Sequence, residues 1–248
     1  MEKRIIELDE IDSTNNYATN LANNNMASHG MTIYALRQSE GKGQRGRQWH
    51  SEPGKSIAMS IIVQPETDLA KQFLFSCSVA VAIADYLAHI YENLNVKIKW
   101  PNDIILNDKK AGGILIENIV RGHQWAYAIV GIGINVNIEK FPDNLSFATS
   151  IRKETNTECD MLAVRDGLID AVLNCLGNKL LTEAQIMQQY NNRLYKKNQP
   201  QIISRQDMKW EAVPLEVTAD GLLWVVLQNG VKASYKHGDI VWQYENQT

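Results

Sequence analysis

The spacing of apolar residues predicts alternating strands and helices over the first four fifths of the chain. Strands are predicted at residues 5–8, 32–36, 56–63, 96–100, 104–106 and 113–119, and a long apolar strand at 125–138. Helical periodicity follows good capping residues in segment 12–15 and at Asp68, Asp160 and Thr182. The turn-rich segment 107–110 separates two predicted strands and is typical of a hairpin.

The pattern changes after the sequence Asn-Gln-Pro at residues 198–200. Five short strands are predicted at residues 201–204, 213–218, 222–227, 231–235 and 240–243, joined by glycine-containing turns. So many strands in fewer than about fifty residues indicate a small barrel. The chain therefore divides into an α+β domain of residues 1–197 and a β domain of residues 198–248.

Composition is that of an ordinary globular protein and restricts the classes of partner. Of 248 residues, 44% are apolar and 21% are charged, and the net charge is −3. This charge gives no overall basic field for nucleic acid. We find neither a signal-peptide pattern nor a long apolar run, so a cytoplasmic protein without membrane contact is expected. The three cysteines are far apart and form no C-x-x-C pair, which indicates neither a zinc site nor disulfides.

The most informative segment is the glycine loop, residues 38–49, which reads Q-S-E-G-K-G-Q-R-G-R-Q-W. Its glycines permit close approach of a ligand to the backbone, and its lysine and two arginines supply charge for a carboxylate or phosphate. The closing tryptophan adds an aromatic surface. The loop is therefore a candidate for binding an anionic, nucleotide-like ligand, with a solvated surface turn as the alternative.

Three further segments carry candidate chemistry. The sequence K-W-P-N-D at residues 99–103 ends a strand at a proline and presents Asp103, although it also suits a simple turn. The sequence K-A-G-G-I-L-I-E at residues 110–117 places a lysine beside two glycines. In G-I-G-I-N-V-N at residues 131–137, burial of Asn135 requires a hydrogen-bond partner, either a nucleotide base or a neighbouring backbone group.

Taken together and in this order, these segments resemble the biotin protein ligases. The similarity begins at I-D-S-T-N, residues 11–15, and extends through the four segments to the C-terminal strands. It implies a mixed sheet flanked by helices, as in class II synthetases, followed by an SH3-like barrel. It also implies a monofunctional ligase, because the chain begins directly at these motifs without an upstream helix-turn-helix domain.

The resemblance implies a two-step reaction with ATP, biotin and Mg²⁺. Biotin carboxylate attacks the α-phosphorus of ATP, which releases pyrophosphate and leaves biotinyl-5′-adenylate. A lysine amine of a biotin carboxyl carrier domain then attacks the acyl carbon and releases AMP. Because the first step brings two anions together, cations must offset their repulsion.

The resemblance also implies the site residues. Catalytic roles fall to Lys110, Arg45, Arg47 and Asp103, the last as an orienting group or metal contact. The residues implied to bind the biotin head group are Ser13, Thr14, Asn15 and Gln38. The resemblance also implies residues that contact the biotin carboxylate, the adenylate phosphate and the adenine: Gly41, Lys42, Gly43, Gln44, Trp49, Lys110, Gly113 and Asn135. Among these, Trp49 should flank the adenine and Asn135 should hydrogen-bond it.

The glycine loop departs from the family's common G-R-G-R-x-G-R-x-W. Lys42 and Gln44 stand where arginines are frequent, so one bidentate fork and one charge are lost. We expect Arg45 or Arg47 to compensate by retaining the adenylate. The resemblance further favours a homodimer, and the net negative charge favours no binding to an operator.

Three alternatives compete with this interpretation. A lipoate or octanoate ligase or transferase would use a similar fold for another acyl group. A biotin or nucleotide sensor would bind without releasing pyrophosphate. A repressor acting through a separate DNA-binding partner is a third, and no segment of the sequence supports it.

Overall fold

A seven-stranded mixed sheet forms the centre of the protein, for which the computed structural model describes residues 4–177 and 181–242. Its strands are β1 Ile5–Ile11, β2 Thr32–Gln38, β3 Ser56–Val63, β4 Val96–Lys99, β5 Asp103–Leu106, β6 Lys109–Arg121 and β7 Gln124–Asn135. They are arranged in the order β1-β2-β3-β7-β6-β5-β4. Only β1 and β2 pair in parallel among them. The predicted mixed sheet flanked by helices is confirmed.

Over the described residues, five α-helices accompany the sheet: α1 Thr14–Asn23, α2 Gln72–Ile90, α3 Ile151–Thr155, α4 Met161–Gly177 and α5 Glu183–Asn192. Two predicted caps are confirmed. Asp160 accepts hydrogen bonds from the amides of Leu162 and Ala163, and Thr182 forms a capping box with Gln185. The prediction for Asp68 was wrong, because a single 3-10 turn intervenes before α2 and the Asp68 side chain caps nothing.

The strands β3 and β7 carry very different residues on their two faces. Large apolar side chains pack with α2, α4 and α5 in the main core: Ile57, Met59, Ile61, Val130, Ile132 and Ile134. The opposite face carries small residues, and with Gly113 of β6 they form a surface that we name the trough: Ser56, Ala58, Ser60, Gly113, Gly131 and Gly133. Beyond one end of the trough, α1 packs Ala18 and Ala22 in a second, smaller core.

The C-terminal region forms a separate five-stranded antiparallel sheet. Its strands are β8 Gln201–Arg205, β9 Met208–Val217, β10 Leu223–Leu227, β11 Lys232–Tyr235 and β12 Val241–Trp242, in the order β11-β10-β9-β8-β12. This sheet is open over the described residues, and residue 243 of the last predicted strand lies outside them, so the SH3-like barrel stays a prediction. The boundary at residues 197 and 198 also stays a prediction.

The C-terminal sheet packs directly against the helical region. Its buried residues belong to the main core, and they include Ile203, Val225 and Trp242. Asn191 of α5 adds two hydrogen bonds to the backbone of Val217, at 2.7 and 2.8 Å. These contacts join the C-terminal sheet to α5 and to the main core.

One helical stretch, Leu69–Ile90, is long and apolar enough to cross a membrane by length and composition alone. More than half of its most apolar window is buried inside the protein, where α2 packs on the sheet and on α4 and α5. Its apolar composition is therefore explained by its place in the core.

Candidate active site

The glycines of β7 bring together sequence segments that are far apart in the chain. A Cβ atom on Gly133 would lie 2.5 Å from Cε2 of Trp49, and a Cβ atom on Gly131 would collide with the amide oxygen of Asn15. Gly133 also pairs across the strands with Gly113. The first helix, the glycine loop and the lysine hairpin therefore meet on one face of the sheet.

A buried polar network closes the end of the trough next to α1. Ser13, Thr14 and Asn15 are at most 3% exposed. The Gln38 side-chain oxygen accepts hydrogen bonds from the Thr14 amide at 2.9 Å and the Thr14 hydroxyl at 3.1 Å. Gln38 thus satisfies a free amide at the start of α1, where the Ser13 side chain makes no capping bond.

Asn15 is held from both ends of its amide. Its Oδ1 accepts from the Ser60 hydroxyl at 2.5 Å, and its Nδ2 donates to Oε2 of Glu117 at 2.7 Å. The other oxygen of Glu117 lies 3.9 Å from Nζ of Lys42 in the glycine loop. Glu117 therefore connects the polar network to the loop, a role that the sequence analysis missed.

The glycine loop folds as a short hairpin instead of an open turn. The Gly43 amide donates to the Arg47 carbonyl at 2.7 Å, and the Trp49 amide donates to the Gly41 carbonyl at 2.8 Å. At the tip, Arg45 and Gly46 take positive φ angles of 58° and 75°. The positions of Gly41 and Gly43 leave little space for a side chain, because a Cβ atom on either would press against the opposite strand of the hairpin.

The indole of Trp49 forms part of the trough surface. It lies over Gly133, and its Nε1 is buried without a hydrogen-bond partner among the described residues. The Ser56 hydroxyl, on the same face, is also buried and unpaired within those residues. Buried donors without partners are costly, and the described residues supply a hydrogen bond to neither group. Asn135 donates its side-chain amide to the Thr149 carbonyl at 3.0 Å, which is the backbone alternative considered for it.

A β-bulge brings Lys110 to the trough. Gly113 pairs with Asp103 and Gly112 with Ile104, but Ile105 pairs with Lys110, so β6 has one extra residue at Ala111. The bulge turns Lys110 to the face shared by Asp103 and Gly113. Its Nζ lies 2.6 Å from Oδ1 of Asp103, and both side chains are partly exposed. Lys110 and Asp103, predicted together from separate motifs, form an ion pair in the structure.

Asn102 and Lys99 have less expected roles. Asn102 donates its side-chain amide to the Ile114 carbonyl and thereby fixes the turn that follows the cis bond between Trp100 and Pro101. Lys99 is only 7% exposed, although it alternates in sequence with the apolar residues Ile98 and Trp100. Burial lowers the pKa of Lys99 to about 8, against the opposing effect of Asp103. The C-terminal sheet covers it, with Nζ lying 5.8 Å from the ring centre of Trp242.

The loop tip points toward the C-terminal sheet. Gln44 lines a cavity of about 320 Å³ with residues from α2, the K-W-P-N-D turn, β6 and two C-terminal turns: Phe73, Ser76, Pro101, Ile116, Gly221 and His237. The Arg45 guanidinium lies against Gly238, where a Cβ atom would collide with it. The positive charge of Arg47 contributes to the lowered pKa of Lys99. Direct roles for Arg45 and Arg47 at the reacting atoms stay predictions.

Comparison with known proteins places this geometry in a family. A family model described as the Biotin/lipoate A/B protein ligase family matches residues 8–135, just over half of the chain. The chain belongs to this family. The matched residues include all seven strands of the central sheet from Leu8 onward, and with them every residue of the trough.

The chain also resembles curated proteins along part of its length. It is 38% identical over 178 residues to the bifunctional ligase/repressor BirA of Bacillus spizizenii, covering 71% of this chain and 53% of that protein. It is 34% identical over 126 residues to the biotin–[acetyl-CoA-carboxylase] ligase of Paracoccus denitrificans, covering 50% and 51%. The chain thus spans about half the length of the curated relatives it matches.

Solved structures of the family share the fold. The biotin protein ligase of Aquifex aeolicus in complex with biotin and ATP superposes with a TM-score of 0.79 at 23% identity, covering 98% of this chain and all of that one. A Leishmania major biotin protein ligase in complex with biotinyl-5-AMP gives a TM-score of 0.66 at 22% identity, covering 95% of this chain and all of that one. At these identities the similarity establishes the fold alone, including the presence of both sheets.

Proposed function

We propose that this chain is a biotin–protein ligase, which activates biotin with ATP and transfers it to a lysine of a biotin carboxyl carrier domain. The observation that carries the proposal is the trough itself. It has a neutral hydrogen-bonding network at one end and the Lys110–Asp103 pair further along the same face. The names of two curated relatives, a biotin–protein ligase and a biotin–[acetyl-CoA-carboxylase] ligase, support the same activity.

The neutral end of the trough suits the uncharged ureido ring of biotin. Ser13, Thr14 and Gln38 offer hydroxyl and amide groups there, and Asn15 is held in a fixed orientation by Ser60 and Glu117. A ring bound at this end would direct the valeryl carboxylate along the glycine positions toward Lys110. The ammonium of Lys110 would then hold the carboxylate and, after the attack, the acyl-phosphate oxygens.

The nucleotide would occupy the part of the trough next to Trp49. The flat indole over Gly133 supplies a stacking surface for the nucleotide base. Gly113 leaves room for a phosphate to approach the backbone, and Gly41, Lys42, Gly43 and Gln44 of the glycine loop are the further contacts proposed for it. Asn135 would contribute to this site indirectly, because its side chain fixes the backbone at Thr149.

Asp103 fits a role in binding Mg²⁺. No group of three or more histidine, cysteine, aspartate or glutamate side chains in residues 4–177 and 181–242 could form a metal site made of protein alone. Mg²⁺ in nucleotide enzymes commonly takes one or two carboxylates together with substrate phosphates, so a single aspartate at the trough is sufficient. When bound, the ion would neutralise phosphate charge as pyrophosphate leaves.

Transfer completes the reaction. The neutral amine of the acceptor lysine attacks the acyl carbon of biotinyl-5′-adenylate, an amide bond forms, and the bond to phosphate breaks to release AMP. The names of the curated ligases support a carboxylase carrier protein as the partner. A cytoplasmic, homodimeric enzyme without affinity for operator DNA completes the proposal.

The decisive experiment measures both steps with wild-type protein and two lysine variants. Lys110→Ala should lower the rate of biotin-dependent pyrophosphate release by about 100-fold, because one charge-stabilising group is removed. The matched control is Lys109→Ala, since Lys109 precedes it on β6 and pairs with Leu106 away from Asp103. Wild-type protein that releases no pyrophosphate with biotin and ATP, or equal rates for the two variants, would contradict the proposal.

The family description also includes lipoate ligases, and this alternative requires its own comparison. Labelled biotin and labelled lipoate should be offered separately with ATP and the matching carrier domain. We expect transfer of biotin only, because the neutral network Ser13–Thr14–Gln38 complements a ureido ring, which lipoate lacks. Transfer of lipoate at an equal rate would favour the alternative.

A further inference from the structure

A turn of the C-terminal sheet lies against the tip of the glycine loop. The turn is residues 236–239, in which the Asp239 amide donates to the Lys236 carbonyl at 3.0 Å and the Asp239 carboxylate accepts from the Lys236 amide at 2.9 Å. Gly238 has a φ of 97°. These bonds fix the turn without help from the glycine loop, so its surface is preformed.

Glycine at position 238 satisfies two requirements. Its positive φ is unfavourable for residues with a side chain. In addition, a Cβ atom at this position would overlap Nη1, Cζ and Nη2 of Arg45. The whole guanidinium plane therefore rests on the Gly238 backbone, a contact that only glycine permits.

The turn is itself held against the catalytic region. The ring of His237 meets the buried indole of Trp100 edge to face, with centroids 5.8 Å apart and planes at 90°. Partial burial and the nearby charge of Arg45 lower the pKa of His237, opposed by Asp103. A neutral imidazole can lie beside Arg45 without repelling it.

Arg45 is well placed to transmit this contact to the trough. It occupies the tip of the hairpin with a φ of 58°, and the hairpin bonds lead from it through Arg47 and Gly43 to Gly41 and Trp49. The same hairpin lays the Trp49 indole on Gly133. Holding the tip therefore limits how far the indole side of the loop can lift from the trough.

We propose that the turn at residues 236–239 is a latch that positions Arg45 and keeps the glycine loop closed over the trough. Gly238 supplies the contact surface, and His237 anchors the turn on Trp100. Resting on the proposed function, the latch retains the acyl-adenylate until the acceptor lysine arrives. It also gives Arg45 a task that compensates for Gln44, which carries no charge.

The first test needs no ligand and uses two glycine variants of the full chain. Gly238→Ala should open the hairpin, and hydrogen exchange in peptides that span residues 38–49 should accelerate about fivefold. Gly230→Ala is the matched control, since Gly230 lies in another turn of the same sheet with a φ of 80° and space for a Cβ atom. Similar exchange in the loop for both variants would overturn the latch.

Arg45→Ala covers the case in which Gly238→Ala fails to fold. This variant removes the guanidinium and leaves the turn intact, so loop exchange should rise while exchange in β10 and β11 stays at the wild-type rate. In the Arg45→Ala background, Gly238→Ala should add no further loop exchange. An independent, additive effect of the two substitutions would count against their contact.

The second test measures retention of the intermediate. Gly238→Ala should release acyl-adenylate into solution about fivefold faster while its rate of formation changes less than about twofold, because the change is in dissociation. A purely structural defect would lower formation and retention together, and that result would overturn the proposal. If loop exchange responds as expected but wild-type protein forms no adenylate, the latch stands and the proposed function fails.

Discussion

The two faces of β7 divide stability from binding along a single strand. On one face, Val130, Ile132 and Ile134 are almost fully buried against the helices. On the other, Gly131 and Gly133 carry no side chain, and Asn15 and Trp49 occupy the space above them. Neighbouring residues of β7 therefore have different roles: one set packs in the core, and the other set leaves space at the candidate site.

In β7, a surface for a ligand is made by removing large side chains from one face of the strand only. The helix-covered face contributes the free energy of burial, which keeps the backbone of β7 straight and paired on both sides. Glycine alone would weaken such a strand. This face of β7 can therefore lack large side chains of its own, because the opposite face supplies the packing.

The largest effect should follow from opening the filled face. Ile132→Ala should lower the free energy of unfolding by about 3 kcal/mol, because it leaves a cavity in the main core. Urea unfolding followed by circular dichroism measures this change. Val120→Ala on β6 is the control, since Val120 is 46% exposed, and a similar loss for both variants would remove the distinction between the faces.

A side chain added on the glycine face of β7 should lower activity and leave the free energy of unfolding nearly unchanged. In Gly133→Ala the new methyl group displaces the Trp49 indole, and we expect activity to fall about 100-fold, as small misplacements in active sites can do. The free energy of unfolding should change by less than about 1 kcal/mol. Steady-state kinetics and urea unfolding of the same sample measure both, with Gly177→Ala as a control at a glycine with open space.

Glu117 tests the polar end of the trough. Glu117→Gln weakens the charged hydrogen bond that fixes Asn15 and removes the partner of Lys42, so KM for biotin should rise about tenfold. The turnover number should change much less. A fall in the turnover number at constant KM would show that Glu117 acts in the chemical step, and Glu139→Gln on the surface is the control.

Lys99 of β4 tests how a buried charge beneath the C-terminal sheet affects the free energy of unfolding. Lys99→Met should raise the free energy of unfolding by about 1 kcal/mol at pH 7, because a buried cation is replaced by an apolar chain of similar length. The folded protein loses the Lys99 proton near pH 8, whereas the unfolded chain keeps it to about 10.5. Wild-type stability should therefore rise with pH across this interval and approach that of the variant.

Chemical unfolding at several pH values measures the difference. Lys97→Met, two residues earlier on β4 and partly exposed, is the control and should show no such pH dependence. A constant difference between Lys99→Met and wild-type protein from pH 7 to pH 10.5 would mean that Lys99 does not lose its proton early.

Local sequence predicted the elements whose causes are local. The apolar run from Ser56 to Val63 predicted a largely buried strand, and β3 has the same bounds. Asp160 and Thr182 cap helices through bonds to amides two or three residues away. The family motifs named Lys110 and Asp103 separately, and the structure shows that the two form an ion pair. In each case the pattern and its physical reason lie within one element or one hairpin.

The missed features depend on residues distant in the chain. Glu117 meets Asn15 across 102 positions, and the cover over Lys99 comes from Trp242. Gly238 is informative only once Arg45 is known to face it. No periodicity in the sequence carries such information, because each contact follows from the packing of two complete sheets.

Because of the extra residue at Ala111, the number of residues between Lys110 and Gly113 determines which face of β6 Lys110 occupies. In a regular ladder, lengthening or shortening β6 by one residue between Ala111 and Gly113 exchanges its two faces, whereas a change of two restores them. Insertions of any length could be absorbed in the turn at Asn107 and Asp108, outside the bulge. Natural or designed variants of this chain should therefore vary freely in the turn and keep an odd residue between Lys110 and the glycines.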